Sequence, residues 1–251
     1  MKRITAFAAL LVLGFSLPQT QAVDPAPLTP EEAVQYPYSM VGQLIFTSGD
    51  DDYQGSGTLI HRRSVLTAAH NLWDEYNGWS TDMEFNRGRY GEEMLSQDIA
   101  TRLFLFSGYR SAVFNNGSDS EYAFARDIGG LRFEENVADG NFVGWKAKTS
   151  LLLEDTYCIA VGYGADVHNG DDPLFVEPAG GFEIVRGGFF ENYGITFESG
   201  MSGGPVFVEY TPGDWRVMGV IVAGTDEPDP SGGIRALNSG AATFISTYLK
   251  R

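Results

Sequence analysis

Apolar positions along the chain fall mostly into short runs separated by clusters of glycine, aspartate and serine. Runs of this length, bounded by turn residues, predict strands. Met40–Phe46 is the first such run. Gly55–Ile60 and Val65–Leu72 follow, joined by the polar turn His61-Arg62-Arg63-Ser64. Together they predict a β-hairpin whose second strand delivers His70 at its end. Later strands are predicted around Tyr157–Gly162, Phe182–Val185, Pro205–Tyr210 and Val217–Ala223. The period changes only near the end, where Ala241, Phe244, Ile245, Tyr248 and Leu249 recur at helical spacing. Asn238 or Ser239 would cap that helix. The pattern predicts an all-β chain closed by a C-terminal helix.

The first residues follow another logic. Lys2 and Arg3 precede an apolar stretch, Ile4–Leu17, and Thr20-Gln21-Ala22 offers small residues for cleavage. Residues 1–22 therefore predict a secretory signal peptide, too short in its apolar part to span a bilayer. No later segment is apolar enough to span one, so no membrane anchor is expected after cleavage. The destination is secreted or periplasmic. Residues 23–35 are rich in proline and acid and predict a flexible N-terminus or a short pro-segment. No Lys or Arg occurs between Arg3 and Arg62. Activation by a cut after a basic residue near the mature start is excluded, which leaves Glu31 or Glu32 as candidate processing sites.

Composition narrows the partners. The 251 residues carry a formal charge of -16. Such an acidic chain is a poor ligand for nucleic acid or an anionic membrane, and it repels its own copies, so a monomer is expected. The one cysteine, Cys158, permits no intrachain disulfide and lies in a predicted buried strand. The acidic run Asp50-Asp51-Asp52 lacks the ligand spacing of an EF-hand loop and predicts a solvated turn. No cofactor and no metal are expected.

Candidate chemistry centres on Ser199-Gly200-Met201-Ser202-Gly203-Gly204-Pro205. Small residues around Ser202 leave room for a substrate carbonyl to reach backbone N–H groups. Those of Gly200 and Ser202 would form an oxyanion hole. A glycine-rich turn beside a strand is the plainer reading of the same stretch. The pattern also fits the G-x-S-x-G elbow of α/β-hydrolases, which requires its histidine after the serine. His61, His70 and His168 all precede Ser202, so that reading is excluded and the order His, Asp, Ser remains.

Gly57-Thr58-Leu59-Ile60, Leu66-Thr67-Ala68-Ala69-His70 and Gly200-Met201-Ser202-Gly203-Gly204-Pro205, in this order, resemble the chymotrypsin/trypsin-like serine peptidases. Tyr36-Pro37-Tyr38-Ser39 adds a resemblance to the bacterial glutamyl-endopeptidase branch. The resemblance covers residues 36 to about 250. It implies two six-stranded antiparallel β-barrels: the first over about 36–137, a linker over about 138–150, and the second over about 151–238. A helix over about 239–250 would pack on the second barrel. It also implies a secreted endopeptidase that cleaves a protein or peptide substrate through a His–Asp–Ser triad and an acyl-enzyme.

In those roles Ser202 attacks, His70 moves the proton and an aspartate orients the imidazole. Asp127, before Ile128-Gly129-Gly130-Leu131, is the favoured acid and Asp98 the alternative. Gly129-Gly130 departs from the bulkier residues usual after that aspartate. Met201 stands where members activated by cleavage carry an aspartate, so activation by an N-terminal ion pair is not expected. By position the specificity pocket would hold Thr196, Phe197 and Ile221. Thr196 offers no acid for a basic substrate side chain. Ile221 replaces the histidine with which glutamyl endopeptidases bind a carboxylate. An apolar or narrow pocket follows. His168 is expected in a surface loop. The competing class is a secreted binding protein on the same fold, with catalysis lost.

Overall fold

The computed structural model describes residues 22–250 except 155, 167, 179 and 226–229. The expected signal peptide therefore lies, through Gln21, outside the described residues. The chain begins with β1 (Ala26–Pro27), a four-residue helix α1 (Pro30–Ala33) and a 3-10 turn at Tyr38–Met40. The first half then runs through β2 (Val41–Ser48), β3 (Asp51–His61), β4 (Ser64–Thr67), β5 (Trp73–Asp74), β6 (Gly78–Trp79), β7 (Thr81–Arg87), β8 (Ser96–Ile99) and β9 (Arg102–Leu105). Two helices, α2 (Tyr109–Asn116) and α3 (Glu121–Phe124), precede β10 (Gly129–Arg132). The second half comprises β11 (Gly144–Trp145), α4 (Ser150–Leu153), β12 (Cys158–Gly162), β13 (Leu174–Val176), β14 (Glu183–Arg186), β15 (Phe189–Asn192), β16 (Pro205–Thr211), β17 (Asp214–Thr225) and β18 (Ser231–Ala236). It closes with α5 (Ser239–Phe244) and a π-helical turn, Ile245–Leu249.

These strands make two large sheets. One orders β8-β7-β2-β3-β4-β10-β9, the other β1-β13-β12-β16-β17-β18-β15-β14, with β11 beside β17. The β11–β17 pair is parallel; the other strand pairs within these sheets are antiparallel. Short edge strands raise the counts to seven and nine, against the six expected per barrel. One buried cluster joins the sheets, with Leu44, Leu59 and Leu66 from the first and Val161, Phe207 and Val220 from the second. Cys158 is buried in β12, as its apolar surroundings predict.

Three expectations about the frame change. Residues 23–35 are packed rather than flexible. Val23 bridges to Ile195, β1 pairs with β13, and Leu28 is 3% exposed. Thr29 and Glu32 form a capping box at the start of α1, which satisfies helix N–H groups that would otherwise be orphaned. Second, the C-terminal helix packs on the first sheet. Tyr248 lies against Phe104, and Leu249 sits over Gly130, where a Cβ would come within 2.5 Å of its Cδ2. Third, Gly129-Gly130 is a packing requirement. A Cβ on Gly129 would approach Leu72 Cδ1 to 2.6 Å, so these two side chains take the space that bulkier residues at 129 and 130 would fill.

Candidate active site

β4 ends at Thr67, and Ala68-Ala69-His70 continues from it. β10 pairs with β4, Gly129 opposite Thr67, which sets Asp127 beside the segment that carries His70. The Asp127 side chain is 2% exposed. Burying it is costly unless donors surround it. Three do: Oδ1 accepts from the N–H groups of Ala69 at 2.6 Å and His70 at 3.0 Å, and Oδ2 meets His70 Nδ1 at 2.5 Å. Nδ1 is engaged, so Nε2 is the nitrogen left for proton transfer. Burial pushes the imidazole pKa down, but the charge and hydrogen bond of Asp127, with a smaller contribution from Asp119, outweigh it and raise the pKa above its ordinary value. Asp98 lies on β8, opposite Phe85 of β7, and makes no hydrogen bond to His70 among the described residues.

Ser202 lies in the loop between Phe197 and β16. Gly200 and Gly203 hold φ at +89° and +92°, a region L side chains rarely enter. At Gly203 space is short too, since a Cβ would lie 2.1 Å from the carbonyl oxygen of Ser56. The loop belongs to the second sheet but is held by the first. Ser56 Oγ donates to the Gly200 carbonyl at 2.7 Å, and Ser56 N donates to the Ser202 carbonyl at 2.8 Å. Asn71 Nδ2 also donates to the Ser202 carbonyl, at 2.9 Å, and to Thr67 Oγ1 at 3.1 Å. Thr67 Oγ1 in turn donates to the Ser56 carbonyl. All three side chains are buried. With the carbonyls of Gly200 and Ser202 turned into this network, the N–H groups of the same two residues find no acceptor among the described residues. N–H groups left without an acceptor are what an oxyanion hole requires.

His70, Asp127 and Ser202 line one cleft of about 560 Å³. Ser202 Oγ makes no hydrogen bond to the His70 ring among the described residues; such contacts are commonly loose before substrate arrives. Phe197 and Ile221 line the same cleft. Thr196 does not: its Oγ1 donates to Asp24 Oδ1 at 3.0 Å, and its N–H donates to the Val23 carbonyl. The packed N-terminus claims that side chain, which removes it from the pocket set. Met201 is fully buried among Cys158, Ala160 and Val206, surroundings that suit a thioether and would penalise a carboxylate.

Four carboxylates line the cleft besides Asp127, namely Asp119, Asp166, Glu191 and Glu198. None was singled out from the sequence. Asp166 accepts from Ser199 N at 2.7 Å, and Glu198 Oε1 meets His168 Nδ1 at 2.8 Å. His168 is therefore a loop residue, as expected, with its ring tied to the segment before Ser202. The polar run Asp166–Pro173 was the available signal, but which of its side chains turns inward depends on a fold the run does not encode. Among the described residues no group of three or more His, Cys, Asp or Glu is arranged to hold a metal ion.

Comparison with known proteins decides the family. A family model described as Trypsin matches residues 30–243. The chain belongs to the trypsin family. It is accordingly a serine-type peptidase, a hydrolase, and its substrates are peptides. No curated protein matches it significantly. Among solved structures it is similar to a Glu endopeptidase in complex with MPD, at 18% identity and a TM-score of 0.71, covering 91% of this chain and 98% of that one. A thermostable serine protease, AL20, from an extremophilic microorganism gives 20% identity and a TM-score of 0.68, covering 84% and 98%. The protease Anisep from Arthrobacter nicotinovorans gives 16% and 0.66, covering 83% and 94%. At these identities the likeness is one of fold.

Proposed function

We propose that this trypsin-family chain is a secreted serine endopeptidase in which Ser202 is the nucleophile, His70 the general base and Asp127 the orienting acid. The observation that carries the reading is the Asp127 carboxylate, buried and bonded to both the ring and the backbone of His70, in a cleft shared with Ser202. In this reading Ser202 Oγ attacks the scissile carbonyl and His70 accepts its proton. The oxyanion rests on the N–H groups of Gly200 and Ser202. His70 then protonates the departing amine, and water repeats the sequence on the acyl-enzyme.

Phe197 and Ile221 support an apolar body to the specificity pocket, and the carboxylates around it oppose an acidic substrate side chain. Residues 1–22 would be removed on export. The docked strand at residues 26–27, together with Met201, supports an enzyme that is active without an N-terminal ion pair. The rival reading, a binding protein with catalysis lost, has no missing group to recommend it.

The test compares residues 23–251 with Ser202→Ala on casein, with cut sites mapped by mass spectrometry. Cleavage that falls by about a million-fold in the variant is the expected result. Equal inertness of both proteins, without fluorophosphonate labelling of Ser202, would hand the case to the binding protein.

A further inference from the structure

A second cavity, of about 460 Å³, meets the first at His70, Ser199 and Ser202; Gly200 also lines it, and its remaining walls come from β2, β3 and the segment after His70 that carries β5. Phe46 on β2 pairs directly with Tyr53 on β3, and their rings stack at 6.0 Å with an interplanar angle of 18°. Tyr76 projects from the turn after β5. Tyr53 is 47% exposed and Tyr76 88%. The carboxylate and the Gln54 amide of this wall are already engaged. Asp74 accepts from Ser48 Oγ and from the N–H groups of Tyr76 and Asn77. Gln54 Nε2 donates to the Tyr163 carbonyl. What the wall offers a visitor is aromatic surface.

We infer that this cavity is the leaving-group subsite, and that it takes an aromatic or large aliphatic side chain on the residue just after the scissile bond. The inference rests on the proposed role of Ser202. The cavity is bounded by His70, which returns its proton to the departing amine, and by the segment that follows His70. Phe197 and Ile221 line the other cavity, which takes the acyl side. Aromatic side chains gain from offset stacking on such a wall beyond the area they bury. A cation gains less there, because the one carboxylate already has three donors.

Acyl transfer reads the subsite directly. A nitroanilide substrate acylates Ser202, and an added amino-acid amide competes with water. The amine nitrogen attacks the ester carbon, the bond from that carbon to Ser202 Oγ breaks, and the proton returns to Oγ through His70. Phenylalaninamide and leucinamide should capture the acyl group about tenfold better than glycinamide, a ratio that should fall to about twofold in Tyr53→Ser and also drop in Tyr76→Ser. Equal capture of all amides, a preference for lysinamide, or a ratio unchanged in both variants would overturn the subsite. An enzyme that never releases nitroaniline would sink the catalytic reading instead. The subsite is then judged by ligand-observed NMR on the Ser202→Ala protein. Tighter binding of phenylalaninamide than glycinamide supports it, and equal binding overturns it.

Discussion

The two halves of the candidate site are built by opposite means. The His70–Asp127 corner is made within one sheet. β4 and β10 are hydrogen-bonded neighbours, and one buried carboxylate ties both the ring of His70 and the backbone beneath it. The Ser202 loop forms no strand over Ser199–Gly204 and has two glycines at positive φ; within its own sheet it is tied at its end, where Gly203 N donates to the Ile221 carbonyl and Ile221 N donates to the Gly204 carbonyl. It is kept in shape by Ser56 and Asn71, which reach across from the other sheet. The corner is rigid through local pairing, the loop through loan. A change in the corner should therefore disturb proton transfer and leave the loop intact. A change in the Ser56–Asn71 network should disturb the loop and leave the acid–imidazole pair intact.

The largest effect should come from Asp127→Asn. The amide oxygen can still accept from Ala69 N and His70 N, so the fold should hold. Its NH₂ group, however, would face His70 Nδ1 and force the proton onto Nε2, the wrong tautomer for a base. A fall of about ten-thousandfold in kcat/KM near neutral pH is expected, with thermal unfolding near that of the wild type. Parallel loss of activity and of folded protein would show instead that the carboxylate serves the frame more than the imidazole.

A smaller effect should follow Asn71→Ala. The Ser202 carbonyl would keep only Ser56 N, and Thr67 would lose the amide that bonds it. Leaving such groups without partners costs about 1–3 kcal/mol, readable by denaturant unfolding. The freed loop should lose alignment of its two N–H groups, lowering kcat by about tenfold to a hundredfold. The signature is selective. Affinity for a boronic-acid transition-state analogue should fall in proportion to kcat/KM, and affinity for a cleaved-product peptide should not. Equal losses for both ligands would mean general loosening and would erase the distinction between corner and loop.

The same contrast governs what the sequence disclosed. The corner and the nucleophile loop were legible because their chemistry is local: a histidine at a strand end, an aspartate entering a strand, a serine among glycines. Strand runs and the C-terminal helix were legible from period. Features that depend on distant partners were not. Thr196 was assigned to the pocket by position, but Asp24, far away in sequence, holds it elsewhere. Residues 23–35 looked flexible from their prolines and acids, since nothing local shows that β13 offers them an edge. The helix at residues 239–249 announced its apolar face without saying which sheet would receive it, and the answer lay in Gly130 and Phe104, over a hundred residues earlier. Asn71 and Ser56 passed unnoticed because buried amides and hydroxyls carry no pattern until their partners are in place.

The smallest effect concerns pH, and here activity and stability of the corner should move in opposite directions. The imidazole pKa is raised, because the attraction of Asp127, aided by Asp119, overcomes the cost of burial. A base must be neutral to accept the Ser202 proton, so kcat/KM should climb with pH through a value above the ordinary 6.5 of histidine. The sign for stability is the reverse. A raised pKa in the folded state means that protonation favours folding; this contribution is complete below the unfolded value and is lost as pH rises through the folded one. The wild type should therefore lose a little of its Tm advantage over His70→Gln across the same interval in which it gains activity. The ring is 33% exposed, so solvent screens the interaction and the change in Tm should be modest. Asp127→Asn removes the charge that raises the pKa, and its activity profile should shift to lower pH while its residual rate stays small. If the acid limb of Asp127→Asn coincided with that of the wild type, the titrating group would not be the His70 of this corner, and the carboxylate would be holding backbone alone.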